Sequence, residues 1–300
     1  MISASGLTKS FGAVAAVRGI DFEIARGEVF GFLGPNGAGK STTMKMIYAL
    51  VRPDHGRLLV AGVDVAADPR TAKSKLGVVP QDNNLDPDLS VLQNLTCYGR
   101  YHGIRRSETL RRSEELLELW QLSEKRDVVI YDLSGGMQRR LVMARGLLHE
   151  PEVLILDEPT TGLDPQARQM VWQKVRALKR RGLTIVLTTH YMEEAAQLCD
   201  RLAVMDRGRI LVTGTPGDLV SGLPGREVVE VHTESPEAAL IAGSYLGAGE
   251  RHFDSAAWFV ESSQVDLEPL VAAGFRQITR RPANLEDVFL KLTGRELGEE

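Results

Sequence analysis

Along the first two thirds of the chain, apolar runs rich in β-branched residues alternate with stretches in which apolar residues recur at helical spacing. "EVFGFLG" precedes a helix predicted over residues 40–50, "VLILD" precedes one over 166–181, and "LTIVLTTH" precedes one over 192–200. Strands that are apolar on both faces and divided by helices predict a parallel sheet wrapped by helices. "IDFEIARGEV", "GRLLVAG" and "RLAVMDRGRILVTG" contain Gly turns and read as antiparallel strands or hairpins at the edges. From about Asp86 to Val129 the strand pattern stops, and "RRSETLRRSEELLELWQL" carries apolar residues at helical spacing, as a helical insertion would. Composition breaks at "GTPGDLVSGLPGRE". Beyond it, "EVVEVHT", "SPEAALIAGSYLG", "ERHFD", "AWFVES", "VDLEPLVAAG" and "FRQITRR" read as β-α-β-β-α-β, and "NLEDVFLKLTG" as a last helix facing inward through Leu285, Val288, Phe289 and Leu292. The fold class expected is α/β, with a small α+β domain from about residue 226 to the end.

Composition adds mainly exclusions. The 300 residues are 43% hydrophobic and 25% charged, an ordinary globular balance that needs no staples. The net charge of −4 is spread over intermixed acids and bases, so nucleic acid is not an expected partner. Cys97 and Cys199 stand far apart, which argues against a disulfide framework or a Cys-based metal site. The start lacks a basic region followed by an apolar stretch, and no run approaches the ~20 apolar residues of a membrane span, so the chain is expected to be soluble.

"GPNGAGKST" lies between a predicted strand and the helix near Lys40. Phosphate binding needs glycines that turn successive N–H groups toward the ligand, a helix N-terminus, a lysine for the β- and γ-oxygens and a hydroxyl for Mg²⁺. Gly39, Lys40 and Ser41 supply these in order within the loop of Gly34, Asn36, Gly37, Ala38 and Thr42, and the ligand expected is a nucleoside triphosphate. "VLILDE" ends a buried strand in two acids: Asp157 can hold Mg²⁺ through a water, and Glu158 can orient and deprotonate an attacking water. His190 ends "LTIVLTTH". A lone His there is ordinarily structural, but the carboxyl end of a central strand favours a γ-phosphate contact. A second glycine-rich helix start, "LSGGMQRRLVMARGLL", has Ser134 as N-cap, free N–H groups at Gly135 and Gly136, and Leu141, Ala144, Leu147 and Leu148 on one face. The first loop already serves the phosphates, so the second serves another ligand or another copy of the nucleotide.

These motifs together resemble the ATP-binding cassette (ABC) ATPases over roughly residues 2–222, with the helical subdomain at about 86–130. The resemblance makes Phe11 in "KSFG" an adenine-stacking aromatic and Gly34 to Thr42 the Walker A loop. It makes Gln81 in "VVPQD" the Q-loop glutamine that contacts Mg²⁺, and "LSGGMQ" through Gln138 the family signature. It makes Glu158 the catalytic base after Walker B, Asp164 in "GLD" the D-loop aspartate and His190 the switch histidine. Asp164, followed by Pro165, is also placed to cap the next helix. ATP and Mg²⁺ are the implied cofactors. The implied partner is a second copy, paired head to tail so that Ser134 to Gly136 of one chain complete the ATP site of the other.

The tail "NLEDVFLKLTGREL" looks like the ATPase subunits of two-component exporters of the daunorubicin and nodulation-factor type. That resemblance implies ATP-driven export of a drug, lipid or glycolipid. It also implies a separate transmembrane permease docked between the sheet core and the insertion around residues 81–122, and a peripheral place on the cytoplasmic side of the membrane. Importer ATPases share the nucleotide motifs, and soluble ABC ATPases acting on ribosomes or DNA form another class. A P-loop kinase or GTPase leaves the "LSGGMQ" helix unexplained.

Overall fold

The structure is a computed structural model, describing residues 1–232, 241–242, 244, 250–252, 255–260 and 267–293. The chain divides into two units, Met1–Thr213 and Gly214–Glu300. In the first unit, β1 (Ile2–Phe11), β2 (Val14–Ile24), β4 (His55–Val60) and β5 (Val63–Asp64) form an antiparallel sheet in the order β2-β1-β4-β5. A second sheet runs β10-β9-β3-β8-β7-β6, built from β3 (Val29–Leu33), β6 (Leu76–Val79), β7 (Val153–Asp157), β8 (Thr184–Thr189), β9 (Arg201–Asp206) and β10 (Arg209–Gly214). Its strands from β9 to β6 pair in parallel. Every side chain of β3, β7 and β8 is buried, as continuous apolar runs require. The two sheets share one core, in which the rings of Phe22 from the antiparallel sheet and Phe32 from the parallel sheet meet edge to face at 5.1 Å.

β2 and β4 are antiparallel strands, as expected, although β2 and β3 belong to different sheets with only a short turn between them. The strand directions differ from the expectation at β9, which inserts beside β3 as a full parallel member of the central sheet. Apolar alternation reports burial and carries no strand direction, which is why the sequence pattern misplaced it. The helices α1 (Lys40–Ile47) and α7 (Met192–Leu198) also stop short of their predicted ends. Ala49 takes a left-handed φ of 55° just beyond the first, and Cys199 turns extended after the second.

Between β6 and β7 lie α3 (Val91–Tyr101) and α4 (Arg106–Leu119), the helices of the expected insertion, followed by the signature helix α5 (Gly135–Leu147). Ser90 and Gln93 close a capping box at the start of α3. The helix α6 (Pro165–Arg180) follows β7, capped by the Asp164 side chain with proline at its first position. α2 (Pro69–Ser74) completes the helices of this unit.

The second unit holds α8 (Pro216–Ser221) and a sheet in the order β12-β13-β11-β14, made of β11 (Glu227–His232), β12 (Glu250–His252), β13 (Ser255–Val260) and β14 (Ile278–Pro282), antiparallel throughout. With it go α9 (Glu268–Ala272) and α10 (Leu285–Thr293). Most of the helix expected in "SPEAALIAGSYLG" lies outside the described residues. The "NLEDVF" tail has a local physical cause. Asn284 Oδ1 accepts the backbone N–H groups of Glu286 and Asp287, and buried Asp287 accepts both Nη1 and Nη2 of Arg281 at 2.8 Å. Arg281 also donates to Glu230 on β11, tying α10 to the sheet. Leu285, Val288 and Phe289 face inward as expected, but the fourth inward residue is Leu290, since Leu292 in the last turn is 43% exposed.

Candidate functional site

Strand register sets the site. Leu33 pairs with Thr189 and Asp157 with Thr188, so the carboxyl ends of β3, β8 and β7 finish level, and Val79 of β6 pairs with Leu156 beside them. The loops that follow must therefore converge at one edge of the sheet, where open α/β folds bind ligands.

The loop after β3 leads into α1 through Gly39, whose φ of 100° and whose approach to the Ala16 carbonyl, 2.5 Å from where a Cβ would stand, admit only glycine. No side chain caps α1, which leaves its first N–H groups for an anion. Lys40 is 4% exposed and its Nζ donates to the Gly34 and Pro35 carbonyls at 2.7 and 2.9 Å, spanning the inside of the loop. Burial pulls its pKa below the ordinary lysine value, and the carboxylates of Glu158 and Asp157 oppose that pull.

The two acids beyond β7 are both buried. Asp157 Oδ1 accepts Thr188 Oγ1 at 2.5 Å and Ser41 Oγ at 3.3 Å. Glu158 sits at φ 45°, a left-handed conformation uncommon for a side-chain-bearing residue, which turns its carboxylate out of strand alternation. Gln81 Nε2 and Thr161 Oγ1 donate to Glu158 Oε2 at 3.3 and 3.2 Å, and His190 Nδ1 lies 3.4 Å from Oε1 without hydrogen-bond alignment. The Ser41 hydroxyl, the Asp157 carboxylate and the Gln81 amide form an all-oxygen donor set suited to a hard cation such as Mg²⁺.

Lys40, Ser41, Gln81, Asp157, Glu158 and His190 are thus brought together, while Asn36 and Gly37 stand exposed on the loop and Thr42 lies in the first turn of α1. Phe11 ends β1 half-exposed, with Lys9 Nζ 5.5 Å from its ring centroid. The second glycine helix is built differently. Ser134 is exposed and its Oγ accepts the Met137 N–H at 3.3 Å, Gly135 is exposed, and Gly136 looks toward Ala167 and Leu163. Gln138 is engaged within its own chain: its amide donates to the Ile130 and Leu133 carbonyls and accepts from Asn83.

Sequence reasoning passed over two residues here. Thr188 anchors both Asp157 and the Glu158 N–H, yet in sequence it is an ordinary strand threonine. Arg139 fills the space behind both acids, and helical spacing gave no signal for it, since Arg140 stands in the same relation to buried Met143 and Ala144 as Arg139 does to Val142 and Met143.

A glycine-cradled helix start, a buried lysine and two strand-end acids on one edge of a mainly parallel sheet define a P-loop nucleotide-binding cassette. Residues 17–161 match the ABC transporter family, and residues 255–294 match the C-terminal domain of the nodulation factor export protein NodI. The chain is 45% identical over 298 residues to the Nod factor export ATP-binding protein I of Rhizobium etli, covering 99% of this chain and 94% of that one. It is 46% identical over 294 residues to its counterpart in Burkholderia lata, covering 96% and 95%. Among solved structures it is similar to the ATP-binding cassette MJ0796, a dimer in a post-hydrolysis state bound to ADP and Pi (TM-score 0.66, 26% identity, 72% of this chain and 98% of that one). It is also similar to cbiO1 from Clostridium perfringens, part of the ABC transporter complex cbiONQ (TM-score 0.68, 29% identity, 74% and 90%). The chain belongs to the ATP-binding proteins of the ABC transporter family and is an ATPase.

Proposed function

We propose that this chain drives export of an amphiphilic cargo, of drug, lipid or glycolipid kind, by hydrolysing ATP between two head-to-tail copies coupled to a separate membrane-spanning subunit. Near-full-length similarity to Nod factor export ATP-binding proteins supports the export direction and the cargo class. Among the described residues no helix is long and apolar enough to cross a membrane. The reading assigns the passage to the permease, docked by the helical insertion, and places this chain at the cytoplasmic face.

In this account the start of α1 receives the phosphates, Lys40 leaves the Gly34 and Pro35 carbonyls for the β- and γ-oxygens, and Phe11 stacks on the adenine. A divalent cation held by Ser41, Asp157 and Gln81 would neutralise charge on those oxygens. Glu158 takes a proton from the attacking water while Gln81 and His190 hold the water and the γ-phosphate on either side. Ser134, Gly135 and Gly136 of the second copy close the site over the γ-phosphate, with Asp164 at the same seam, so hydrolysis releases the pair.

The observation that carries the reading is the Glu158 carboxylate, buried, turned out of the strand and held by Gln81 and Thr161 beside the phosphate loop. Replacing Glu158 with Gln should leave the ATP dissociation constant nearly unchanged and cut phosphate release at least about a hundredfold. Release at the wild-type rate would remove Glu158 from the role of base.

A further inference from the structure

The loop after β6 is fastened to α5 by three side chains of that helix. Gln138 accepts from Asn83 Nδ2 at 3.4 Å, Arg145 Nη1 donates to the Asn84 carbonyl at 2.6 Å, and Arg139 Nη1 donates to the Pro80 and Gln81 carbonyls, the latter at 3.1 Å. Arg139 reaches further. Its Nη2 donates to the carbonyls of Asp157 and Glu158 at 3.0 and 3.1 Å, and its Nε to that of Pro159 at 2.9 Å. Each of the guanidinium's five N–H groups can thus have its own backbone acceptor, drawn from the two segments that present Gln81 and Glu158.

The arrangement is specific to a planar cation. Arg139 is 4% exposed, and burial lowers its pKa to about 10, with Asp157, Glu194, Asp82 and Glu158 opposing the shift. It therefore stays charged at neutral pH while bonded to neutral carbonyls, which hold it without cancelling the carboxylates in front. A lysine offers three donors from one nitrogen and cannot bridge both segments. The carbonyls gripped at Asp157, Glu158 and Pro159 flank the left-handed turn at Glu158, a conformation that persists only when its surroundings fix it.

We propose that Arg139 is a positioning residue for ATP hydrolysis: it holds the Glu158 turn and the Gln81 loop in register with the start of the signature helix α5. The idea rests on Glu158 acting as the base. Any displacement of the α5 start by a second copy then moves both groups together, which makes closure of the site and alignment of the base one event.

The test uses the full chain with Arg139→Lys and Arg139→Gln, alone and combined with Glu158→Gln, measuring phosphate release, binding of a fluorescent ATP analogue with Mg²⁺, and thermal unfolding. Each single Arg139 variant is expected to remain folded, to bind the analogue within about twofold of wild type, and to lose about a hundredfold in kcat. Neither should slow the Glu158→Gln protein further, because both changes act on one step. A folded Arg139 variant with wild-type kcat, a loss that adds fully to that of Glu158→Gln, or unfolding of both variants would overturn the proposal. Wild-type turnover in Glu158→Gln alone would instead sink the reading of the base, a separate and visible failure.

Discussion

Two helices of this chain begin on glycine, and they differ in what surrounds the start. At α1 the first turn carries buried Lys40 and Thr43 with Ser41 and Thr42 half-buried, is uncapped by any side chain, and donates from Ser41 to the Asp157 carboxylate of the same chain. At α5 the start is exposed at Ser134 and Gly135 and half-buried from Gly136 to Gln138, it is capped by its own Ser134, and no lysine or acid of the phosphate site bonds to it. A Cβ at Gly39 would strike the Ala16 carbonyl, whereas one at Gly135 would meet nothing within 4 Å. The first glycine is needed by this chain's own fold and ligand. The fold itself does not need the second, and on the proposed function it serves the nucleotide held by a second copy.

The largest way to break the contrast is at Lys40. Lys40→Ala removes a charged donor from the α1 site and should weaken ATP binding by about 2–3 kcal/mol, read by titration with a fluorescent analogue. Unchanged affinity would move the phosphate site elsewhere. Next come the glycines themselves. Gly39→Ala should cost about 1–3 kcal/mol of stability in denaturant unfolding, since it forces alanine to positive φ against a carbonyl. Gly135→Ala should leave stability equal or raise it by about 0.5 kcal/mol, yet remove ATP-dependent pairing of the chains. If Gly135→Ala unfolded the protein, or paired normally, the two starts would not differ as argued.

The smallest effect concerns the far end of α5. His149 follows that helix, its ring stacked 3.9 Å from His102 and its Nε2 3.0 Å from the Leu76 carbonyl. Burial lowers its pKa to about 4, with His102 and Arg112 adding to the shift. The fold therefore holds the neutral ring, and the unfolded chain takes the proton more readily. The stability tied to the neutral form is complete above about pH 6.5, erodes as pH falls toward about 4, and changes no further below, a loss of at most about 3 kcal/mol and about 2 kcal/mol once solvent screening of the part-exposed ring is counted. His149→Leu should flatten that segment of the pH–stability curve. An unchanged slope would place the titration on other groups.

Much of the first unit was legible from sequence because its strands are apolar on both faces and its helices keep a clean period, as "VLILD" and α6 illustrate. What sequence could not provide was direction and reach. The parallel insertion of β9 beside β3 follows from packing of the whole sheet, not from the pattern within "RLAVMD". The turn at Glu158 depends on hydrogen bonds from α5 and β8, segments distant in sequence. Nor does helical period separate the two arginines after the signature, since the residues three and four positions beyond each are apolar and buried; only the acceptors do, with Arg139 bonding the carbonyls behind the acids and Arg140 those of Trp120 and Gln121. In the second unit, the physical meaning of Asp287 emerged only with Arg281 beside it.

The central claim is that the α5 start completes a neighbour's ATP site. Light scattering of the Glu158→Gln protein with and without Mg-ATP, repeated with Ser134→Arg added, tests it most directly. The account predicts an ATP-dependent shift from monomer to dimer that Ser134→Arg abolishes while ATP binding persists. Dimers that form equally well with Ser134→Arg, or in the absence of ATP, would contradict it.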